Sequence, residues 1–469
     1  MTDVVPLLAE DEAIPRRPAD LVELPLSPFQ ERWWFFHTRY PGATSPLVWL
    51  VHRLRGPLVV DAWVRAVGAL VDRHETLRTL FVDRPEGPVQ VVGPPRGLAV
   101  EQLDLRDVPD SEREERAREL LNERRQVVLD LERGPLVASC LLRLADDDYV
   151  WTLAIHHILA DGASLPIIDR ELGALYRAYV EGTEPDLPEL AVQYGDFAVW
   201  CAATHEPQYD VERRYWLDRL AGVPALELRT DLPRPASKGA PAAEVRHTVG
   251  ADLVARVDEL AKGERCTRFM ALLAALQVLL ARHSEQPDFC VGVPVVGSGR
   301  TRAELAPLVG LFNNVLALRC DLSADPSFRE LLVSTRETVI DALDHQDIPF
   351  GRIATALDLP HDPSRAQVFQ AMFLLDELHA GGPDLPGLTV TEFPLAIPKI
   401  LHDLMVFAWL GPQGLVTRFV YDSALFAEAT MTRLAGEYEQ LLRAAVADPD
   451  ARMSALVVDG GRSRLSPAG

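Results

Sequence analysis

Three observations predict a layered α/β protein with two globular lobes. The chain has 469 residues, more than one core of ordinary size accommodates. Short β-branched and aromatic runs read as buried strands, notably Tyr149-Val150-Trp151-Thr152-Leu153-Ala154-Ile155 and Phe289-Cys290-Val291-Gly292-Val293-Pro294-Val295-Val296. Segments with helical apolar spacing stand beside them, and strands alternating with helices build layers.

In chain order, residues 1 to about 20 read as a loose N-terminal arm. Val60, Trp63, Val64, Val67, Leu70 and Val71 recur at helical spacing and predict a helix over 58–74, and a second is expected over 112–127. The strand ending at Ile155 runs into His156-His157, and an apolar-periodic helix over 163–180 ends near Gly182. Gly182, Pro185 and Pro188 interrupt all pattern, so the lobes are expected to divide there, as 21–182 and 183–456. A second irregular stretch covers 229–243. Helices are predicted over 267–283, 326–345 and 427–447, and 457–469 reads as a disordered tail.

Composition narrows the function. Apolar residues at 48% and charged residues at 25% fit an ordinary soluble protein. No apolar run reaches the roughly 18 residues of a membrane helix, and no signal peptide is evident, so a cytoplasmic protein is expected. Forty-seven basic against 69 acidic residues, a net charge of −22, disfavours nucleic acid as a partner. Five scattered cysteines without a Cys-x-x-Cys pair argue against disulfides or structural zinc.

The chemistry concentrates in His156-His157-Ile158-Leu159-Ala160-Asp161-Gly162. Adjacent strand residues point to opposite faces, so one histidine faces a cleft and the other packs inward. An imidazole, with an ordinary pKa near ~6.5, can take a proton from an attacking hydroxyl or amine. Asp161 can orient a histidine, Gly162 permits a tight turn, and the helix after it offers free N–H groups to an oxyanion. Two other readings compete: a structural histidine, and a metal site of two histidines and a carboxylate. Neighbouring strand histidines cannot easily hold one ion, and no metal is expected. No Gly-x-Ser-x-Gly elbow, P-loop or dinucleotide fingerprint occurs.

The loop and its companions resemble the condensation domains of nonribosomal peptide synthesis. Leu26-Ser27-Pro28-Phe29-Gln30-Glu31-Arg32-Trp33-Trp34 is similar to the family's first motif, Arg73-His74-Glu75-Thr76-Leu77-Arg78-Thr79-Leu80-Phe81 to its second and His156–Gly162 to its third. Tyr194–Trp200, Gly310–Arg319, His345–Phe350 and Ser364–Gln370 resemble the fourth to seventh, in family order. The resemblance implies two chloramphenicol-acetyltransferase-like lobes arranged as a V, with the active site at their junction. It implies His157 as the catalytic residue, with support from His156, Asp161, Gly162 and Arg78. Asp161 is implied to pair with an arginine, Arg300 or else Arg302, in an architectural role favoured over proton transfer. Asn314 and Ser364 are implied along the substrate channel. Gly351, His361, Gln367 and Asn313 depart from the family pattern and bear on substrate identity.

The implied reaction is transfer of an acyl, expectedly aminoacyl, group from a phosphopantetheinyl thioester on a peptidyl carrier protein. The acceptor is an amine or alcohol, small or carrier-bound, and the product an amide or ester of antibiotic-type biosynthesis. The chain itself is expected to bind no cofactor. Cyclising relatives carry an aspartate at the position of His156, epimerising ones a different segment after the loop, and recruitment-only ones tend to lose the second histidine. A bond-forming, free-standing enzyme is therefore expected, with a non-catalytic carrier-docking module or an epimerase or cyclase relative as alternatives.

Overall fold

The computed structural model describes residues 13–39, 45–238, 240–360, 362–375, 382–395 and 399–456, with the backbone alone at 206, 207, 298 and 299. The expected tail, His361 and the arm before residue 13 lie outside the described residues. The chain forms two α/β units. One draws on Met1–Gln208, Val296–Asn313 and Ala380–Pro394; the other on Tyr209–Val295, Asn314–His379 and Leu395–Gly469. The division expected at 182/183 differs from this one. The irregular stretch after Gly182 packs within the first unit, where Leu190 and Val192 join a buried cluster with Ile14, Tyr194, Phe197 and Phe312.

In the first unit a five-stranded sheet runs Thr389–Glu392, Leu47–Arg55, Asp148–His156, Val137–Ala145, Val100–Asp104. Only the last two strands pair in parallel. Asp148–His156 is central, and every residue from Tyr149 to His156 is buried. That burial explains its unbroken apolar character, since a strand covered on both faces needs no polar alternation. Helices Val60–Arg73 and Leu165–Glu181 contribute Trp63 and Tyr176 to the core. The Trp63 ring meets Trp151 edge-on at 4.9 Å and Tyr176 at 5.8 Å. Gly182, at φ 70°, closes the second helix in a left-handed conformation that glycine adopts without strain.

The arm is tied down from residue 13, contrary to the expectation of a loose segment. Ile14 is buried, and Arg17 donates to Asp196 at 2.7 Å and to Glu75 at 2.6 Å. Its positive charges and one apolar anchor hold it against motif residues distant in sequence.

In the second unit a six-stranded sheet runs Asn314–Asp321, Asp288–Val295, Ala371–Leu375, Leu404–Gly411, Gly414–Asp422, Ala242–Gly250. Ala371–Leu375 is parallel to both neighbours and the rest are antiparallel. Helix Arg268–Ser284 buries twelve residues from Met270 to Ala281, capped by Thr267 accepting from the Met270 N–H. Helix Phe328–Leu343 opens on a Ser327/Glu330 capping box. Both begin and end within two residues of the predicted positions, as does Glu428–Ala447.

Candidate active site

His156 ends the central strand, its N–H donating to the Leu136 carbonyl at 2.9 Å. The next N–H, of His157, donates to Pro46 O at 2.9 Å. The side chains then diverge as strand geometry requires. His156 is 1% exposed, and its Nδ1 accepts from the Ile158 N–H at 3.1 Å. Burial, with the neighbouring His157 and His37, pushes its pKa down to about 3. It is therefore a neutral, structural imidazole. His157 is partly exposed, with Nδ1 buried.

The loop carbonyls are held by the first two motifs. Gln30, fully buried, donates to Ile158 O at 3.2 Å, and Thr76 Oγ1 donates to Leu159 O at 3.0 Å. Buried carbonyls left unpaired would cost roughly 1–3 kcal/mol each, which gives these polar residues a reason to sit in an apolar region.

Asp161 does not orient His157. Its carboxylate, fully buried, accepts from Ser164 N at 3.0 Å, Ser164 Oγ at 2.8 Å, Phe312 N at 2.9 Å, Asn313 N at 3.1 Å and Arg300 Nη2 at 3.1 Å. Arg300 also donates to Leu308 O at 2.9 Å and lies 4.5 Å from the Phe312 ring centroid. Arg302 pairs instead with Glu304 at 3.0 Å, so the arginine left open by the sequence is Arg300. The carboxylate thus fastens segment 296–313 to the histidine loop. A Cβ on Gly310 would run into the Tyr194 ring, and this close approach lets the Gly310 N–H donate to Ser164 Oγ at 3.1 Å.

Two expectations for the loop change. The Ser164 N–H is occupied by Asp161, so this N–H of the helix start is not free for an oxyanion. Gly162 does not need a left-handed conformation, and a Cβ there would meet nothing within 4 Å. It is exposed, at the mouth of the loop rather than packed in its turn.

Arg78 donates to the Gly93 carbonyl and lies 3.8 Å from Glu75, bracing the second motif. In the second unit, Asn314 and Ser364 have engaged side chains. Asn314 Nδ2 donates to Gln346 O at 2.8 Å and Ile348 O at 2.7 Å, while its Oδ1 accepts from Phe350 N at 3.0 Å. Ser364 Oγ donates to Asp362 at 2.6 Å. Both shape loops through the very groups expected to face a channel. Glu212 holds the same 346–350 loop, accepting from Asp347 N at 3.0 Å and Ile348 N at 2.8 Å.

Sequence reasoning missed Trp33 and Ser164. The Trp33 indole stacks on His157, centroids 4.9 Å apart and planes 24° off parallel. Its sequence signal is helical phase: Gln30 and Trp33 are three residues apart, on one face of helix Pro28–Arg39. Among the described residues no three His, Cys, Asp or Glu side chains converge as a metal requires, and no helix is long and apolar enough to cross a membrane.

The chain is similar to known proteins in sequence and in fold. Residues 21–462 match the family described as Condensation domain. The chain is 40% identical over 431 residues to a linear gramicidin synthase of Brevibacillus parabrevis, covering 91% of this chain and 8% of that protein. It spans less than a tenth of the length of the first three curated relatives it matches. Among solved structures, the X-domain from teicoplanin biosynthesis is 27% identical with a TM-score of 0.83, covering 95% of this chain and 99% of that one. The X-domain has also been solved in complex with OxyB. SgcC5 from Streptomyces globisporus, in complex with (R)-(-)-1-(2-naphthyl)-1,2-ethanediol and sucrose, is 31% identical with a TM-score of 0.73, covering 91% and 100%.

Proposed function

Because the chain belongs to the condensation-domain family of nonribosomal peptide synthesis, we propose that it transfers an acyl group from a carrier-protein phosphopantetheinyl thioester to an amine or alcohol. One observation carries the reading. Within an intact His-His-x-x-x-Asp-Gly loop, His157 is the partly exposed imidazole, while His156 and Asp161 are committed to structure.

The site residues then take these roles. The free ring nitrogen of His157 accepts the acceptor's proton as its oxygen or nitrogen attacks the thioester carbonyl. The tetrahedral intermediate collapses, the C–S bond breaks, and the imidazolium returns the proton to the departing thiolate. An amide or ester and a free pantetheinyl thiol result. The chain supplies no cofactor; phosphopantetheine arrives on the carrier. Burial lowers the pKa of His157, the carbonyls of His157 and Ala160 and the Asp161 charge oppose that, and Arg32 adds to it. A base held below its ordinary value is unprotonated at neutral pH. The aryl vicinal diol held by SgcC5 supports an alcohol as acceptor.

A second reading, a docking module, is favoured by the likeness to the X-domain solved with OxyB. Intact-mass spectrometry of an aminoacyl carrier protein, offered amine and alcohol acceptors, separates the two. Acyl transfer predicts enzyme-dependent return of the carrier to its free-thiol mass with a new acceptor adduct. A carrier that binds but is never discharged supports docking.

A further inference from the structure

His157 lacks the partner that usually orients a catalytic histidine. In a catalytic triad a carboxylate receives the Nδ1 proton and fixes the ring. Here the ring meets the backbone carbonyls of His157 and Ala160 rather than a carboxylate, and Asp161 is saturated by Ser164, Arg300, Phe312 and Asn313. The ring is instead covered on a face. Trp33 lies nearly parallel to it at 4.9 Å. Trp33 is itself placed by its helix, which Gln30 bonds to the loop at Ile158 O, and by the Phe36 ring edge-on at 6.1 Å. The Arg32 guanidinium carbon stands 5.2 Å from the Trp33 ring centroid.

We propose that Trp33 is the positioning residue for His157, fixing the imidazole plane by face-to-face contact in place of a carboxylate hydrogen bond. The proposal rests on the acyl-transfer reading above. Stacking supplies orientation, and the indole face also attracts the imidazolium that forms as the proton is taken.

The test uses Trp33→Phe, Trp33→Leu and Trp33→Met in the full chain. It measures kcat and KM against pH and titrates histidine-labelled protein by NMR, with His157→Ala assigning the resonance. A misplaced reacting group costs on the order of 10²-fold. Trp33→Leu is therefore expected to lower kcat by roughly 10–100-fold with KM for the loaded carrier little changed, and Trp33→Phe to recover most of it. The His157 ring resonances should move in Trp33→Leu and Trp33→Met, which lack the indole ring current. If Trp33→Leu fails to fold, Trp33→Met, which fills the space without an aromatic plane, decides in its place. Unmoved His157 resonances, or unchanged kcat, in a folded Trp33→Leu or Trp33→Met overturns the proposal. The resonances need no substrate, so absent transfer by wild type would count against the acyl-transfer reading alone.

Discussion

Arg300 Nη2 lies 3.1 Å from Asp161 Oδ1 across 139 residues of sequence, and both side chains are buried. The two ends are not equivalent. Asp161 accepts from Ser164, Phe312 and Asn313 as well, whereas for Arg300 it is the one carboxylate among the described residues.

That asymmetry makes a prediction about stability. Removing one member of a buried pair costs about 3–5 kcal/mol because the other charge is stranded. Asp161→Ala should reach that range, since it strands Arg300 and frees three backbone N–H groups. Arg300→Ala should cost less, because Asp161 keeps its other donors. Urea unfolding of both variants checks the order. Equal losses would mean the additional donors do not compensate the carboxylate.

Glu212 predicts a pH dependence. Burial raises its pKa from 4.5 to about 7, although two backbone N–H groups oppose the rise, and its Oε1 has no hydrogen-bond partner among the described residues. The folded state therefore holds a proton that the unfolded chain gives up near 4.5. This residue's contribution to stability falls as pH rises from about 4.5 to about 7, and is flat above. Glu212→Gln keeps an acceptor for both N–H groups and cannot ionise. Its melting temperature should exceed that of wild type at pH 8, with the gap closing at pH 5. A constant gap across that range contradicts the assignment.

Asn314 holds both sides of the 346–350 loop. Asn314→Ala leaves two carbonyls and the Phe350 N–H without this partner, at a cost of about 1–3 kcal/mol for each group that stays dry. Hydrogen exchange at 346–350 should accelerate selectively, with the Asp161 network unchanged. Uniform acceleration across the second unit would point to a global rather than a local role.

The sequence was most legible where local pattern and burial coincide. Strand 148–156 and helices such as Arg268–Ser284 were predicted within two residues because their apolar runs serve one core. The role proposed for His157 comes from a loop that carries its own pattern. What was not readable came from pairing across long separations. Nothing local signals that Trp33 meets His157, or that Phe312 and Asn313 donate to Asp161. The lobe boundary failed for the same reason. The Pro/Gly stretch after 182 looks like a linker, but Leu190 and Val192 are buried by an arm that begins the chain. Asn314 and Ser364 show the converse: a motif fixes a residue's place, and only its hydrogen bonds reveal that it shapes a loop.

The most direct test of the central claim is the single-turnover discharge of one loaded carrier protein by wild type and His157→Ala, with an alcohol and an amine acceptor. An alcohol is a poor nucleophile unless a base removes its proton during attack, and such a base contributes roughly 10²–10⁴-fold. The account predicts a loss of that size with the alcohol and a smaller loss with the amine, whose proton can leave late. Equal residual rates with both acceptors would contradict His157 as the base.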